Sequence, residues 1–261
     1  MRPDDSQPLL KLAFIYCLKW NRDEEAAKWA ELALEKEHGN FYALLIRALC
    51  GKDMMKRVQQ LEELIEVKPD YARPYNGLGN ALYNQKRYKE AIRAYEQCIG
   101  VSRQYEHPYY GLGSIYNQLG ELDKSIEWYK KCIAVNPTYD FPHYGLGIAY
   151  NNKNDTAQAI HWFKECIRIN PNYDCPYYAL GNIYRLSHDY PTSVQYYRRS
   201  LAIKPLDPLC FVNLAIALIS QSHFEEAMGY LVEAEKHVDE DKMLSNANIE
   251  YIREQLEFYL S

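Results

Sequence analysis

The sequence predicts an all-α protein made of stacked helical hairpins. The main observation is an interval of 34 residues at which the same residue types return. A fixed interval of this size is typical of two-helix units that bury their apolar faces only against each other. The interval is carried by Gly79, Gly113, Gly147 and Gly181, by Pro74, Pro108, Pro142 and Pro176, and by Tyr71, Tyr105, Tyr139 and Tyr173.

The unit 106–139 shows how one repeat predicts two helices. Pro108 suits the first turn of a helix, where its missing N–H is not needed. A turn is expected around Gly120, and the pair Asn136-Pro137 ends the second helix, because the residue before a proline avoids the α region. Helical spacing of i, i+3, i+4 and i+7 joins Tyr109, Leu112, Gly113 and Tyr116 in the first helix, and i, i+4 and i+7 joins Ser125, Tyr129 and Cys132 in the second.

This order of residues resembles the tetratricopeptide repeat. Its pattern of aromatic, Leu-Gly, Tyr, small residue, aromatic, small residue and Pro occurs in three adjacent units. The resemblance implies a right-handed superhelical solenoid of helix-turn-helix hairpins. The matching positions are Tyr109, Leu112, Gly113, Tyr116, Ser125, Tyr129, Cys132 and Pro137, then His143, Leu146, Gly147, Tyr150, Ala159, Phe163, Cys166 and Pro171, then Tyr177, Leu180, Gly181, Tyr184, Ser193, Tyr197, Ser200 and Pro205.

We expect a single array over residues 1–261, with weaker repeats toward its ends. Terminal repeats are expected to be atypical, because one of their faces meets water. The unit 38–71 has Leu45 at the close-contact glycine position and Arg57 where a small residue is expected. The expected units are the degenerate repeats 7–37 and 38–71, the well-matched repeats 72–105, 106–139, 140–173 and 174–207, the last repeat 208–241, and a capping helix at 246–260.

Composition argues against several classes of protein. The net charge is −5 and no Lys/Arg run marks a basic face, so we expect no nucleic-acid partner. No apolar stretch approaches the ~20 residues that span a bilayer, so we expect no membrane insertion. The seven cysteines form no CxxC pair, and Cys98, Cys132 and Cys166 fit small buried positions. These features predict a cytoplasmic, intracellular protein.

Residues with catalytic or cofactor chemistry do not form a recognisable motif. Gly111-x-Gly113 lies inside a predicted helix and lacks the preceding strand of a phosphate loop. The seven histidines form no HExxH pair, and a lone helix residue such as His161 fits a surface position. We therefore expect no enzyme activity, no cofactor and no metal ion.

The first helices carry a second stripe, at i, i+3, i+7 and i+10, which is expected to line a concave groove. Asn can pair with both groups of a peptide unit, and Tyr offers rigid contact area, so the stripe suits an extended peptide. The alternative is that the Tyr side chains pack between hairpins and that Asn caps the helix ends. The predicted groove residues are Arg73, Asn76, Asn80, Asn84, His107, Tyr110, Ser114, Asn117, Tyr144, Asn151, Asn152, Tyr178, Asn182 and Arg185.

These features predict a non-enzymatic scaffold that binds an extended or helical segment of a protein partner. The clamp with which some members of the family grip chaperone C-termini is absent: Lys11 stands alone at the required lysine position, and Ile15 follows where Asn is needed. The alternative is a structural subunit of a larger assembly, or a homo-oligomer, that meets partners through its ends or outer face. The phrase PYYGLG resembles repeats of the anaphase-promoting complex and of ciliary transport complexes.

Overall fold

A computed structural model describes residues 6–19, 22–237, 250 and 252–254. Every regular element in these ranges is helical, which confirms the all-α class and the hairpin packing predicted from the repeat. The α-helices are α1 (Gln7–Phe14), α2 (Asp23–Lys36), α3 (Phe41–Cys50), α4 (Met54–Val67), α5 (Ala72–Asn84), α6 (Tyr88–Val101), α7 (His107–Gln118), α8 (Leu122–Val135), α9 (Asp140–Asn152), α10 (Thr156–Ile169), α11 (Asp174–Leu186), α12 (Tyr190–Ile203), α13 (Pro208–Ile219) and α14 (Phe224–Lys236).

The helices belong to two compact units. Unit 1 is Met1–Asn136 and contains α1 to α8; unit 2 is Pro137–Ser261 and contains α9 to α14. Within each unit, every odd-numbered helix packs against the even-numbered helix that follows it, and neighbouring hairpins pack on each other. None of the described helices is both long enough and apolar enough to cross a bilayer.

The two helices of most hairpins are joined by the same tight turn. At Gly120 the backbone takes φ +75°, and the N–H of Glu121 reaches back to the carbonyl of Tyr116 at 2.9 Å. This is the Schellman arrangement, which satisfies the last carbonyls of the first helix. The left-handed residue recurs at the repeat interval, at Lys86, Gly120, Asn154, His188 and Ser222.

Inside each hairpin, an aromatic ring from the second helix lies against a glycine of the first. A Cβ at Gly79 would lie 2.4 Å from Tyr95 Cε1, and one at Gly147 would lie 2.4 Å from Phe163 Cε1. The predicted close-contact glycines are therefore the positions that admit these rings. The same packing joins Gly113 to Tyr129 and Gly181 to Tyr197.

The repeat cysteines are buried, as the sequence predicted. Cys98, Cys132 and Cys166 are fully buried on second helices, and each thiol lies near a backbone carbonyl of the first helix or its N-cap. Burial raises the pKa of all three thiols to about 12. At neutral pH they are small protonated side chains that fill space.

The degenerate repeat 38–71 compensates for its unusual residues. Leu45 and Leu61, at the positions of the usual glycine and ring, are both fully buried. Arg57 does not disrupt the hairpin: its Nε donates to the carbonyl of Ala48 at 3.2 Å, and its Nη2 donates to the carbonyl of Leu49. The guanidinium thus satisfies carbonyls near the end of α3 that have no helical partner.

Most of the predicted capping helix, 246–260, lies outside the described residues. The described part is helical at 252–254. Ile252 packs on the core of α13 and α14, and Arg253 Nη1 donates to the Glu235 carboxylate of α14 at 3.0 and 2.8 Å. This segment therefore contacts the last hairpin.

Candidate functional site

All predicted groove residues lie on the first helices of their hairpins, and the structure divides them between the two units. Unit 1 contributes residues of α5 and α7, which contact each other, and unit 2 contributes residues of α9 and α11. In unit 1, the Arg73 guanidinium lies 5.7 Å from the Phe14 ring centre, and the His107 ring meets Tyr105 edge to face at 5.0 Å. Asn84 is exposed and Asn117 is half-buried.

One predicted groove residue is misplaced. Asn76 is buried, at 9% exposure, beside Gly77 and Tyr75 in the packed part of α5. Its Oδ1 has no hydrogen-bond partner among the described residues. The prediction that Asn76 faces an open groove is wrong, because this part of the stripe turns into the helix-packing face.

Three other groove residues hold a tyrosine of their own hairpin. The hydroxyl of Tyr95 donates to Asn80 Oδ1 at 2.6 Å, and the hydroxyl of Tyr197 donates to Asn182 Oδ1 at 2.6 Å. Ser114 is the equivalent residue in the repeat 106–139. Its hydroxyl lies 3.2 Å from that of Tyr129. We call these contacts phenol pairs: Asn80–Tyr95, Ser114–Tyr129 and Asn182–Tyr197.

The phenol pairs keep buried hydroxyl groups satisfied and neutral. Tyr95, Tyr129 and Tyr197 are 0–3% exposed, so each hydroxyl needs a partner within the protein. Burial raises the pKa of all three phenols, that of Tyr197 to about 12. At Asn80, Ser114 and Asn182, the side-chain oxygen therefore takes part in packing within its own hairpin.

The repeat 140–173 has no phenol pair. Its equivalent residues are Ile148 on the first helix and Phe163 on the second, so both the hydroxyl and its acceptor are absent. Beside them, unit 2 contains a recess of about 160 Å³. The recess is lined by Tyr144, Ile148, Asn151, Phe163, Tyr178, Ala179, Asn182, Ile183 and Leu186.

The recess combines an apolar lining with two amide side chains. Phe163 is 1% exposed and Ile183 is 7% exposed, whereas Asn151 is exposed and Asn182 is half-buried. Five predicted groove residues of unit 2 lie in or near it: Tyr144, Asn151, Tyr178 and Asn182 line it, and Arg185 Nε donates to the Tyr197 hydroxyl at 3.3 Å. Asn152 is the next residue after Asn151 and is exposed.

The two tyrosines of the recess are partly packed. Tyr144 lies 5.7 Å from Phe163 and 5.3 Å from Tyr173, measured between ring centres. The Tyr178 hydroxyl accepts a hydrogen bond from Asn213 Nδ2 at 2.9 Å. The alternative interpretation, that the tyrosines pack between hairpins, therefore applies in part to Tyr144, because its ring lies against Phe163. Both tyrosines are half-buried walls of the recess.

Family models for the tetratricopeptide repeat match residues 70–138, 142–173 and 177–210, about half of the chain. The chain belongs to the tetratricopeptide repeat family. Proteins of this family generally act as scaffolds for protein–protein interaction. No curated protein matches the sequence.

Several solved tetratricopeptide repeat structures share the fold. A chain of the Cut9–Hcn1 hetero-tetramer of the APC/C has a TM-score of 0.69 at 15% identity over 97% of this chain and 46% of that one. A tetratricopeptide repeat protein from Parabacteroides merdae has a TM-score of 0.62 at 12% identity over 97% and 98% of the two chains. MamA protein has a TM-score of 0.55 at 23% identity over 67% of this chain and 96% of that one. The chain thus spans less than half of the Cut9–Hcn1 match, and these likenesses concern the fold.

Sequence reasoning on the tetratricopeptide repeats missed the apolar half of the recess. It treated Phe163 as one more repeat aromatic. Ile148 lies on the stripe but is not among the predicted groove residues, and Ala179 lies outside the stripe. The sequence does contain a signal. In the three repeats with a phenol pair, Asn or Ser on the first helix accompanies Tyr on the second, whereas Ile148 accompanies Phe163. The exchange can be seen by comparing residues fifteen positions apart within each repeat.

Proposed function

We propose that the chain is a non-enzymatic, cytoplasmic scaffold that binds an extended segment of a protein partner. The segment lies along the first helices of unit 2 and anchors one apolar side chain in the recess. The observation that carries this proposal is the absence of a phenol pair in repeat 140–173. The neighbouring repeats have a hydrogen-bonded phenol at this place.

The recess has the size and lining of a side-chain pocket. An apolar cavity of about 150 Å³ holds a benzene molecule, so a recess of about 160 Å³ suits a Leu, Met or Phe side chain. Aromatic and aliphatic walls with a few polar groups at the edge are typical of such sites. The occupant is therefore an apolar anchor rather than a charged one.

The amides at the recess can bind the backbone on either side of the anchor. Asn151 is exposed and offers both a donor and an acceptor. Asn182 has its Oδ1 engaged by Tyr197 and also hydrogen-bonds Tyr178, so the remaining N–H of its Nδ2 is the one that donates to a partner carbonyl. Side-chain hydrogen bonds to the main chain fix the register of an extended peptide without depending on its sequence.

The test restores the phenol pair that the recess lacks. In the variant Ile148→Asn/Phe163→Tyr/Ala179→Gly, the new hydroxyl enters the recess and meets an amide, as in the repeats that have Asn. The probe is a phage-displayed library of short random peptides, followed by titration of the selected peptides. We expect selected peptides to share one apolar residue, and the variant to bind them at least about 30-fold more weakly, as for a central anchor contributing ~2 kcal/mol.

The matched control makes the opposite exchange in unit 1. Ser114→Ile/Tyr129→Phe changes the same kind of pair outside the recess and is expected to leave peptide affinity unchanged. Circular dichroism and thermal melts monitor folding of both variants. Equal affinity of the folded recess variant and the wild type would refute the anchor.

A second candidate is a structural subunit of a larger assembly. It is supported by the likeness in fold to a chain of the APC/C Cut9–Hcn1 hetero-tetramer. The match covers 46% of that chain, which is therefore longer than the part matched here. The experiment is light scattering of the purified chain over a range of concentrations. A mass that rises with concentration, without any peptide, favours assembly through the chain itself. A constant monomer mass argues against self-assembly and favours peptide binding in the groove.

A further inference from the structure

Two thiols and a carboxylate from three separate elements meet in unit 1. Cys17 lies in a π-helical turn, Ile15–Lys19; Asp23 is the first residue of α2; and Cys50 is the last residue of α3. Their two Sγ atoms and a carboxylate oxygen all lie within 4.8 Å of one another. This group is separate from the recess described above, which lies in unit 2.

We propose that Cys17, Asp23 and Cys50 bind a zinc ion, which replaces the expectation from the sequence that no metal ion is bound. Thiolate and carboxylate are zinc ligands, and two cysteines favour this borderline-soft ion over magnesium or calcium. Three protein ligands leave one position of a tetrahedral site for water. Cys50 and Asp23 also line an open recess of about 530 Å³, through which water and the ion can reach the ligands.

The local backbone brings the ligands together. The π-helical turn ends α1, and the N–H of Arg22 donates to the carbonyl of Tyr16 at 2.9 Å. This bond holds the start of α2 beside the π-helical turn. π-Helical turns are rare and are frequent at functional sites. The helix α3 packs against both α1 and α2, which places Cys50 beside this turn.

The surrounding charge suits a zinc ion with three anionic ligands. Two thiolates and one carboxylate around Zn²⁺ leave one net negative charge. Arg57 lines the same recess, and its bonds to the carbonyls of Ala48 and Leu49 hold its guanidinium near Cys50. The positive charge of Arg57 therefore balances the loaded site. Arg57, which stands where the repeat 38–71 should have a small residue, thus supplies this balancing charge.

The bound ion would join the first hairpin to the second. α1 and α2 form the first hairpin and α3 begins the second, so ligands on both sides of this contact act as a cross-link. A ligand that binds only the folded state raises its stability. We therefore expect zinc to raise the thermal midpoint of the protein.

The experiment uses the full chain, reduced, stripped with a chelator and reloaded. Zinc content is measured after gel filtration, and Co²⁺ is added separately to detect thiolate-to-cobalt charge transfer. We expect about one zinc per chain and a charge-transfer band in the wild type. Cys17→Ser should lose both. Asp23→Asn should keep the band and bind cobalt at least about tenfold more weakly. A loss of this size is found even when a residue that only hydrogen-bonds a metal ligand is replaced.

The matched control is Cys175→Ser, which removes a half-buried cysteine of unit 2 and should behave as the wild type. Circular dichroism verifies that each variant is folded. No charge-transfer band in the reduced wild type, or an equal band in folded Cys17→Ser, would overturn the proposal. A Cys17–Cys50 disulfide that forms in air, with no zinc bound by the reduced chain, would also overturn it and identify the pair as a redox cross-link.

Discussion

Replacing Gly147 by Ala tests the packing on which each hairpin depends. The added Cβ would lie 2.4 Å from Phe163 Cε1, so the buried Phe163 ring must shift to admit it. Overpacking of this kind destabilises a core by about 1–3 kcal/mol. The higher helix propensity of Ala opposes this by about 1 kcal/mol. The two effects must be separated by a control.

Gly229→Ala supplies that control in the same unit. Gly229 lies inside α14 with no atom within 4 Å of an added Cβ, so only the propensity gain of about 1 kcal/mol is expected there. Urea unfolding followed by circular dichroism gives the free energy of unfolding of each variant. Gly147→Ala should be less stable than Gly229→Ala by the overpacking term of about 1–3 kcal/mol. Equal stability of the two variants would refute the close contact.

A double mutant identifies the ring as the cause. Phe163→Leu shortens the side chain facing Gly147, and the chain already pairs Ala215 with Leu231 at the equivalent positions. In the Phe163→Leu background, Gly147→Ala should therefore no longer be destabilising. Additive effects in this cycle would show that another neighbour of Gly147 resists the methyl group.

Two further predictions concern polar groups of unit 2. Burial lowers the pKa of His143, so the unfolded chain takes up a proton at higher pH than the folded chain, and stability falls as the pH drops below about 6.5. His143→Tyr, which copies Tyr109, should make the thermal midpoint less dependent on pH between about 5 and 7; an unchanged slope would contradict this. Tyr197→Phe removes the bond to Asn182 and should lower the unfolding free energy in urea by about 1 kcal/mol. Adding Asn182→Ile should recover part of it, and no recovery would mean that the loss comes from the bond that Arg185 Nε donates to the phenol.

The candidate site was only partly predictable from the sequence. Helical spacing alone places Asn151 and Asn182 on the stripes of their helices, and both residues line the recess. It failed for Asn76 because the width of the packing face depends on how closely the neighbouring helix approaches. Tyr144 lies on the same stripe as Asn151, but its contact with Phe163 depends on a side-chain conformation that spacing does not specify.

The repeat interval by itself determined the helical class and the hairpins, because Gly, Pro and aromatic residues at fixed positions act through short-range backbone and packing rules. Only the tertiary structure decided where a space remains and which distant residues meet. The recess is lined by Ile148 and Phe163, which come from two helices in contact. Cys17 and Cys50 follow no repeat interval, so their approach depends on the π-helical turn and on the packing of α3, which no sequence spacing encodes.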